Sequence, residues 1–206
     1  MKLTDRTVSD LLSAFRSSDP TPGGGSASAL VGAVGASLLA MVASLPKSRA
    51  ATEEDAERLK AAGDRCAALS AELAALVDRD SEAYELVVAA YRMPKASADE
   101  KAARAAAVQQ AMRAAIAAPL DVMRACAAAA EQGVVIAGFG NRSAWSDVQV
   151  GLELLNAGLR GAKLNAEINV EKVKDADYAA GVRSDVAAFE RAIAHETSAA
   201  IRSLKA

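Results

Sequence analysis

Acid–base chemistry in this chain has one candidate, Asp80, in the segment Asp78-Arg-Asp-Ser-Glu-Ala-Tyr84. Aspartate is a poor former of helix interiors, yet Leu76, Val77, Ala83, Tyr84, Val87 and Val88 surround this one with apolar residues at helical spacing. Turned inward, its carboxyl would have a perturbed pKa and could carry protons. Turned outward, it is one more charge on a solvated helix face.

Three further segments could bind a ligand. Pro20-Thr-Pro22-Gly23-Gly24-Gly25-Ser26 is a glycine-rich stretch feeding a helix start. Exposed backbone N–H groups and the positive helix end suit an anion there, and an ordinary interhelical turn has the same composition. No Gly-Lys-Ser/Thr follows, so it is not a Walker loop. Arg92-Met-Pro-Lys95 ends a helix and presents Lys95 beside its negative end, either toward a ligand or as a dipole partner. From Gly140 to Asn169 the chain is rich in amides and hydroxyls: Asn141, Ser146, Asp147, Asn165 and Asn169. Asn165 and Asn169 share a helix face and can either read the edges of a heterocycle or bond between helices. Trp145 can either stack on a ligand ring or anchor the core, and the core is the expectation.

Other chemistries lack their parts. His195 is the single histidine, without a second ligand nearby, and reads as a solvated helix residue. Cys66 and Cys126 have no metal-type spacing and read as two buried thiols in a reducing compartment. No metal site and no His-based triad can be assembled.

The elements that must position these groups are helical throughout. No alternating strand pattern or Asn-Gly hairpin occurs. A first helix is expected over Thr7–Ser17, broken by the Pro/Gly stretch. A second carries the uncharged run Ala27–Leu45, capped by Ser26 or Ser28 and stopped by Pro46. A third runs from about Thr52 to Tyr91, with Glu53, Glu54 and Asp55 at its positive end. Ser97 and Glu100 form a capping box for a fourth, which Pro119 should kink or divide. Ser146 can cap a fifth to about Val170, and Asp175 or Asp177 opens the last. The expectation is an all-α, single-domain bundle of six to eight long helices over residues 1–206.

Composition agrees. Hydrophobic residues make up 52% and aromatics only 3%, so the core must be built from Ala, Leu and Val with close helix contacts. A formal charge of −2 gives no basic face for nucleic acid. The run Ala27–Leu45 is long enough to test as a membrane span, but Ala, Gly, Ser and Val carry weak transfer energies, so a buried core helix is expected. The N-terminus has no signal-peptide core, which points to a cytoplasmic protein.

Taken in order, three stretches resemble the cyclodeaminase/cyclohydrolase family of folate enzymes: PTPGGGSASALVGAVGASLLAMVASL, LVDRDSEAYELVVAAYRMPK and GNRSAWSDVQVGLELLNAGLRGAKLNAEIN. They span Pro20 to Asn169, and the glycine triplet before an Ala/Gly-rich helix is the most specific feature. The resemblance implies an all-helical homodimer with a folate site between helices and no cofactor besides the substrate. It implies Asp80 as the catalytic carboxylate. The implied substrate-binding residues are Pro22, Gly23, Gly24, Gly25, Ser26, Lys95, Asn141, Ser146, Asp147, Asn165 and Asn169. Two reactions are implied at the carbon between N5 and N10 of tetrahydrofolate: hydrolysis of the methenyl bridge, favoured because no formiminotransferase portion is on this chain, and cyclodeamination of the formimino group. A non-catalytic homologue is the third reading. The sequence departs from the family at Pro46-Lys47-Ser48-Arg49, where a Gly-Lys-Lys run is usual, and at Ser143, where a second Asn is usual.

Overall fold

A computed structural model describes residues 2–205. Six α-helices account for most of it: α1 Val8–Phe15, α2 Gly24–Ser44, α3 Glu53–Arg92, α4 Ala98–Phe139, α5 Trp145–Val170 and α6 Ala176–Lys205. Short 3-10 turns precede α1 (Leu3–Asp5) and α5 (Arg142–Ala144).

The boundaries follow from local chemistry. The side chains of Thr7, Thr52 and Ser97 each accept from the backbone N–H three residues on, starting α1, α3 and α4. Ser97 and Glu100 close the expected capping box. Asp175 accepts from the Tyr178 N–H at 3.0 Å and opens α6. Four expectations are corrected. Ser26 and Ser28 lie inside α2, whose N-cap is Gly23. Ser146 lies in the first turn of α5, behind the N-cap Ala144, because the preceding 3-10 turn already directs the chain into the helix. Pro119 does not divide α4, which runs unbroken through it, with the proline and Ala118 buried in the bundle. Trp145, at the first position of α5, is 52% exposed and so is not a core anchor.

Helices α2, α3, α4 and α5 form an antiparallel ring. Ser37 of α2 meets Ser70 of α3 at 2.7 Å, Arg79 of α3 pairs with Asp121 of α4 at 2.6 Å, and Gly133 of α4 faces Leu152 of α5. The sixth helix lies against α4 and α5, tied by Asn156 to Thr197 at 2.9 Å and by Lys163 to Glu190 at 2.8 Å. One core runs through all of them, with Leu39, Leu69, Leu73, Ile116, Leu155 and Leu159 fully enclosed. Cys66 and Cys126 are free and buried, and burial pushes both thiols up to about 12. Two helices, α2 and α4, are long and apolar enough to cross a bilayer by length and composition, but about half of the most apolar stretch of each is buried in the bundle.

Helices α2 and α5 touch backbone to backbone. A methyl group on Gly35 would lie 2.7 Å from the Gly151 carbonyl oxygen, and one on Gly151 would lie 3.1 Å from that of Gly35. Neither carbonyl can move without shifting a helix, so the small residues set the spacing of the ring. Gly35→Ala is therefore expected to cost about 1–3 kcal/mol by overpacking. Gly181, in the interior of α6 with nothing within 4 Å of its missing side chain, should give a gain of roughly 0.5–1 kcal/mol on replacement by Ala. Urea unfolding of the two variants checks both signs; equal effects would remove the close-approach argument.

Candidate functional site

The first turn of α2 has no side-chain cap of its own, because its N-cap is a glycine. Asp80 of α3 supplies the missing acceptor. Its Oδ2 takes the Ser26 N–H at 2.8 Å and lies 3.1 Å from the Ser26 hydroxyl. Serving as a cap from another helix requires close approach, and Gly25 permits it: any Cβ there would overlap the Asp80 carboxyl group. Gly25 and Asp80 thus occupy one space, which explains a glycine inside a helix where it costs stability.

Burial raises the pKa of Asp80, and the two bonds from Ser26 pull in the opposite direction. The Ser26 hydroxyl has a single proton and three acceptors in reach: Asp80, the Val77 carbonyl at 2.8 Å and the Ser81 hydroxyl at 3.2 Å. With Asp80 ionised, Ser26 can donate to it. With Asp80 protonated, Ser26 can turn to Val77 and accept from the carboxyl. The carboxyl can therefore gain and lose a proton with no polar group stranded. Its neighbours have other duties. Asp78 accepts from the Leu3 N–H at 2.6 Å, and Arg79 pairs with Asp121.

Asp80 opens on a cleft of about 260 Å³ between the N-terminus of α2, α3, α4 and the C-terminal end of α5. Gly23, Gly24 and Gly25 form one wall and Asn165 and Asn169 another. Helix geometry leaves the Gly24 and Gly25 N–H groups without intrahelical acceptors. Asn165 donates to the Gly161 carbonyl at 2.9 Å, and Asn169 to the Ala115 carbonyl at 3.1 Å. The second of these bonds has a covalent origin. The natural partner of the Ala115 carbonyl is the N–H four residues on, which is Pro119 and has none. The proline frees a carbonyl on the cleft wall, and Asn169 is anchored to it. Each amide keeps an oxygen and a second N–H for a ligand.

The sequence-predicted residues divide into two groups. Asp80, Ser26, the three glycines, Asn165 and Asn169 come together. Pro22 is buried just behind the glycines, after a cis Thr21–Pro22 peptide. Lys95 is exposed past the end of α3, about 18 Å of helix beyond Asp80. Asn141, Ser146 and Asp147 stand at the other end of α5, about 30 Å from Asn165. There Asn141 donates to the Pro46 carbonyl at 2.6 Å and accepts from the Ser143 N–H at 2.8 Å, so its amide clips the chain's own turns. Arg49 belongs to the same end: its N–H donates to the Phe139 carbonyl at 2.7 Å and its guanidinium to that of Ala137. Lys47 holds a left-handed conformation, φ 61°. Neither basic residue of the Pro46–Arg49 departure reaches the Asp80 cleft. His195 is exposed and bonds to Glu196 at 3.0 Å.

Tyr84, Val87, Met112, Ile168 and Lys172 also line the cleft; the sequence marked Tyr84 and Val87 only as apolar neighbours of Asp80 and did not single out the others as ligand-binding. Periodicity could have found them. Tyr84 and Val87 lie four and seven residues beyond Asp80 on the same face of α3, and Lys172 follows in the turn just past the end of α5, three residues beyond Asn169.

Comparison with known proteins bears on what this cleft handles. The methenyltetrahydrofolate cyclohydrolase of Methylorubrum extorquens is 36% identical over 175 residues, which cover 85% of this chain and 84% of that protein. The formimidoyltransferase-cyclodeaminase of Sus scrofa is 34% identical over 168 residues, 82% of this chain but only 31% of that protein, so the chain spans about a third of the longer relative. The crystal structure of formiminotetrahydrofolate cyclodeaminase from Thermotoga maritima has the same fold, with a TM-score of 0.87 at 24% identity, over 99% of this chain and 98% of that one. With the model described as Formiminotransferase-cyclodeaminase matching residues 7–188 as well, the chain belongs to the formiminotransferase-cyclodeaminase family.

Proposed function

We propose that this protein is a folate enzyme of one-carbon metabolism that hydrolyses 5,10-methenyltetrahydrofolate to the 10-formyl compound. The observation that carries this reading is Asp80, a half-buried, reprotonatable carboxyl facing a cleft that also presents two amides. Water adds to the methenyl carbon and Asp80 takes one of its protons. The carbon is then tetrahedral between N5 and N10. As the C–N5 bond breaks, Asp80 returns that proton to N5, and loss of the remaining hydroxyl proton leaves a formyl group on N10. The methenyl substrate is cationic, and a carboxylate at its carbon lowers the energy of that charge. Asn165 and Asn169 would orient the pterin, with Tyr84 and Ile168 against its ring. Lys172 and the Gly24–Gly25 amides would hold an anionic part of the folate. The reaction calls for no cofactor besides the substrate. We further infer a cytoplasmic homodimer that engages neither nucleic acid nor membrane.

The 36% identical Methylorubrum relative supports the hydrolase. The Sus scrofa relative supports a second reading, cyclodeamination, in which N10 attacks the formimino carbon and the same carboxyl protonates the departing ammonia. Purified protein with 5,10-methenyltetrahydrofolate separates the two. Near-ultraviolet absorbance should fall faster than in a blank, and Asp80→Asn should slow that fall by roughly 10²–10⁴-fold. Ammonia release from 5-formiminotetrahydrofolate without that fall would establish the cyclodeaminase. Silence in both assays would leave a non-catalytic homologue.

The raised pKa of Asp80 has a sign that can be tested. Its proton is held more tightly folded than unfolded, where the value is about 3.9. The stabilising contribution is complete below that value and is lost as pH rises through the folded value. Asp80→Asn should therefore melt higher than the parent protein at pH 7–8, with the gap closing toward pH 4. A gap independent of pH would mean that burial does not strain this carboxylate.

Pro119→Ala would return the Ala115 carbonyl to its own helix and release Asn169. KM for the folate should rise roughly 2–10-fold, the worth of one hydrogen bond, with no loss of melting temperature. An unchanged KM would show that Asn169 needs no such anchor.

A further inference from the structure

The methenyl substrate carries a positive charge and the formyl product does not, so each hydrolysis leaves one proton over. Asp80 returns its first proton to N5 and must then pass the proton of the remaining hydroxyl out of the protein before it can act again. A folate seated in the cleft covers the opening of Asp80 to water on that side. In cyclodeamination the balance is reversed: one proton is consumed, and Asp80 must be recharged from outside. Either reaction is served by a proton path to Asp80 that bypasses the substrate.

Such a path starts at Ser26. Its wholly buried hydroxyl lies 3.1 Å from Asp80 Oδ2 and 3.2 Å from the Ser81 hydroxyl. Its third neighbour, the Val77 carbonyl at 2.8 Å, accepts a hydrogen bond but has no proton to pass on. A hydroxyl both accepts and donates, so the chain continues through Ser81. Asp80 and Ser81 are consecutive in α3 and therefore point about 100° apart. Asp80 lines the cleft, whereas Ser81 lines a second cavity of about 630 Å³ between α1 and α3. Thr21 borders both spaces, so the segment ahead of the glycines is the wall between them. The outer cavity is polar and carries the carboxyl groups of Asp10, Glu82 and Glu85. Glu85 lies one turn beyond Ser81 on the same face of α3. It is exposed and in no ion pair among the described residues, so it is free to take a proton and release it to solvent.

We propose that Ser26 and Ser81 relay protons between Asp80 and this outer cavity, so that Asp80 exchanges them with solvent while the substrate stays bound. Outward, Asp80 Oδ2 gives its proton to the Ser26 oxygen. The Ser26 hydroxyl proton moves to the Ser81 oxygen, and the Ser81 hydroxyl proton passes to Glu85 or to water in the cavity. Three O–H bonds break and three form, Asp80 is left ionised, and one proton has left. Ser26 ends as the donor to the ionised carboxylate, at the 3.1 Å separation described above. Rotation of the two hydroxyls resets the chain, and the reverse sequence brings a proton in. The inference rests on Asp80 being the group that trades protons with the folate. Ser81 touches no substrate and acts through Asp80.

Steady-state kinetics test the relay, with 5,10-methenyltetrahydrofolate or, if that is the compound turned over, 5-formiminotetrahydrofolate. Ser81→Ala should keep KM and lower kcat roughly 10-fold, short of the roughly 10²–10⁴-fold loss in Asp80→Asn, because protons can still cross the cleft once the product has left. Imidazole, a small diffusible acid and base, should raise kcat of Ser81→Ala in proportion to its concentration, against a no-enzyme blank holding the same imidazole. It should leave the parent protein unchanged. Ser81→Thr keeps the hydroxyl and should stay close to the parent. Ser70→Ala is the control: its hydroxyl meets Ser37 at 2.7 Å between the same two helices, away from the cleft, and its loss should change neither constant. A parent-like kcat in Ser81→Ala would overturn the relay and leave the folate reading intact. A lowered kcat that imidazole does not raise, or one matched by Ser70→Ala, would overturn it as a structural effect. A parent protein inert toward both folates would sink the functional reading and the relay with it.

Discussion

One contact holds this structure in register: the carboxyl of Asp80 against the first turn of α2. A helix that begins on three glycines has no cap of its own and a flexible entry. It is fixed because a carboxyl from the middle of α3 takes its third amide. The cost is borne at both ends. Asp80 is half-buried without an ion pair among the described residues, and Gly25 must give up its side chain. What results is an acidic group held rigidly at the positive end of a helix and at the floor of a cleft. A group so placed is stabilised enough to ionise and strained enough to take a proton back.

The remainder of the ring serves to keep that contact in place. Because α2 is Ala- and Gly-rich, it can lie directly on α5 at Gly35 and Gly151, and the same alignment sets Gly24 next to Asn165, 3.4 Å from where its Cβ would be. Larger residues in the middle of α2 would lift the glycine turn away from the asparagines at its end. The low aromatic content is thus a geometric requirement of the site as well as a property of the core.

Most of this was legible in the sequence where a single residue type decides the outcome. The starts of α1, α3 and α4 were visible because Thr7, Thr52 and Ser97 cap within their own segment. The start of α2 was misread, since its cap comes from fifty-four residues away and Ser26 and Ser28 are the local residues that resemble caps. Pro119 was expected to kink or divide α4, and the helix runs undivided through it. The reading placed the two halves of the site correctly on helices and could not measure the helix between them, so Asn141 and Asn165 appeared as one cluster. Distance along α5 separates them within the chain.

Three of the least favourable residues for a helix interior meet at one level of the bundle. Asp80 sits in mid-α3, glycines open α2, and Pro119 lies in mid-α4. Their intrinsic costs relative to alanine run from a few tenths of a kcal/mol for Asp to about 1 for Gly and about 3 for Pro. Spread at random, they would be three separate weaknesses. Here each supplies what a regular helix cannot: a carboxyl aimed inward, unpaired amides with no side chain over them, and a carbonyl without its own N–H. A helical bundle satisfies its backbone completely and so offers a ligand almost nothing. Concentrating the exceptions at one level turns that closed scaffold into a binding site while the other turns keep their full complement of bonds.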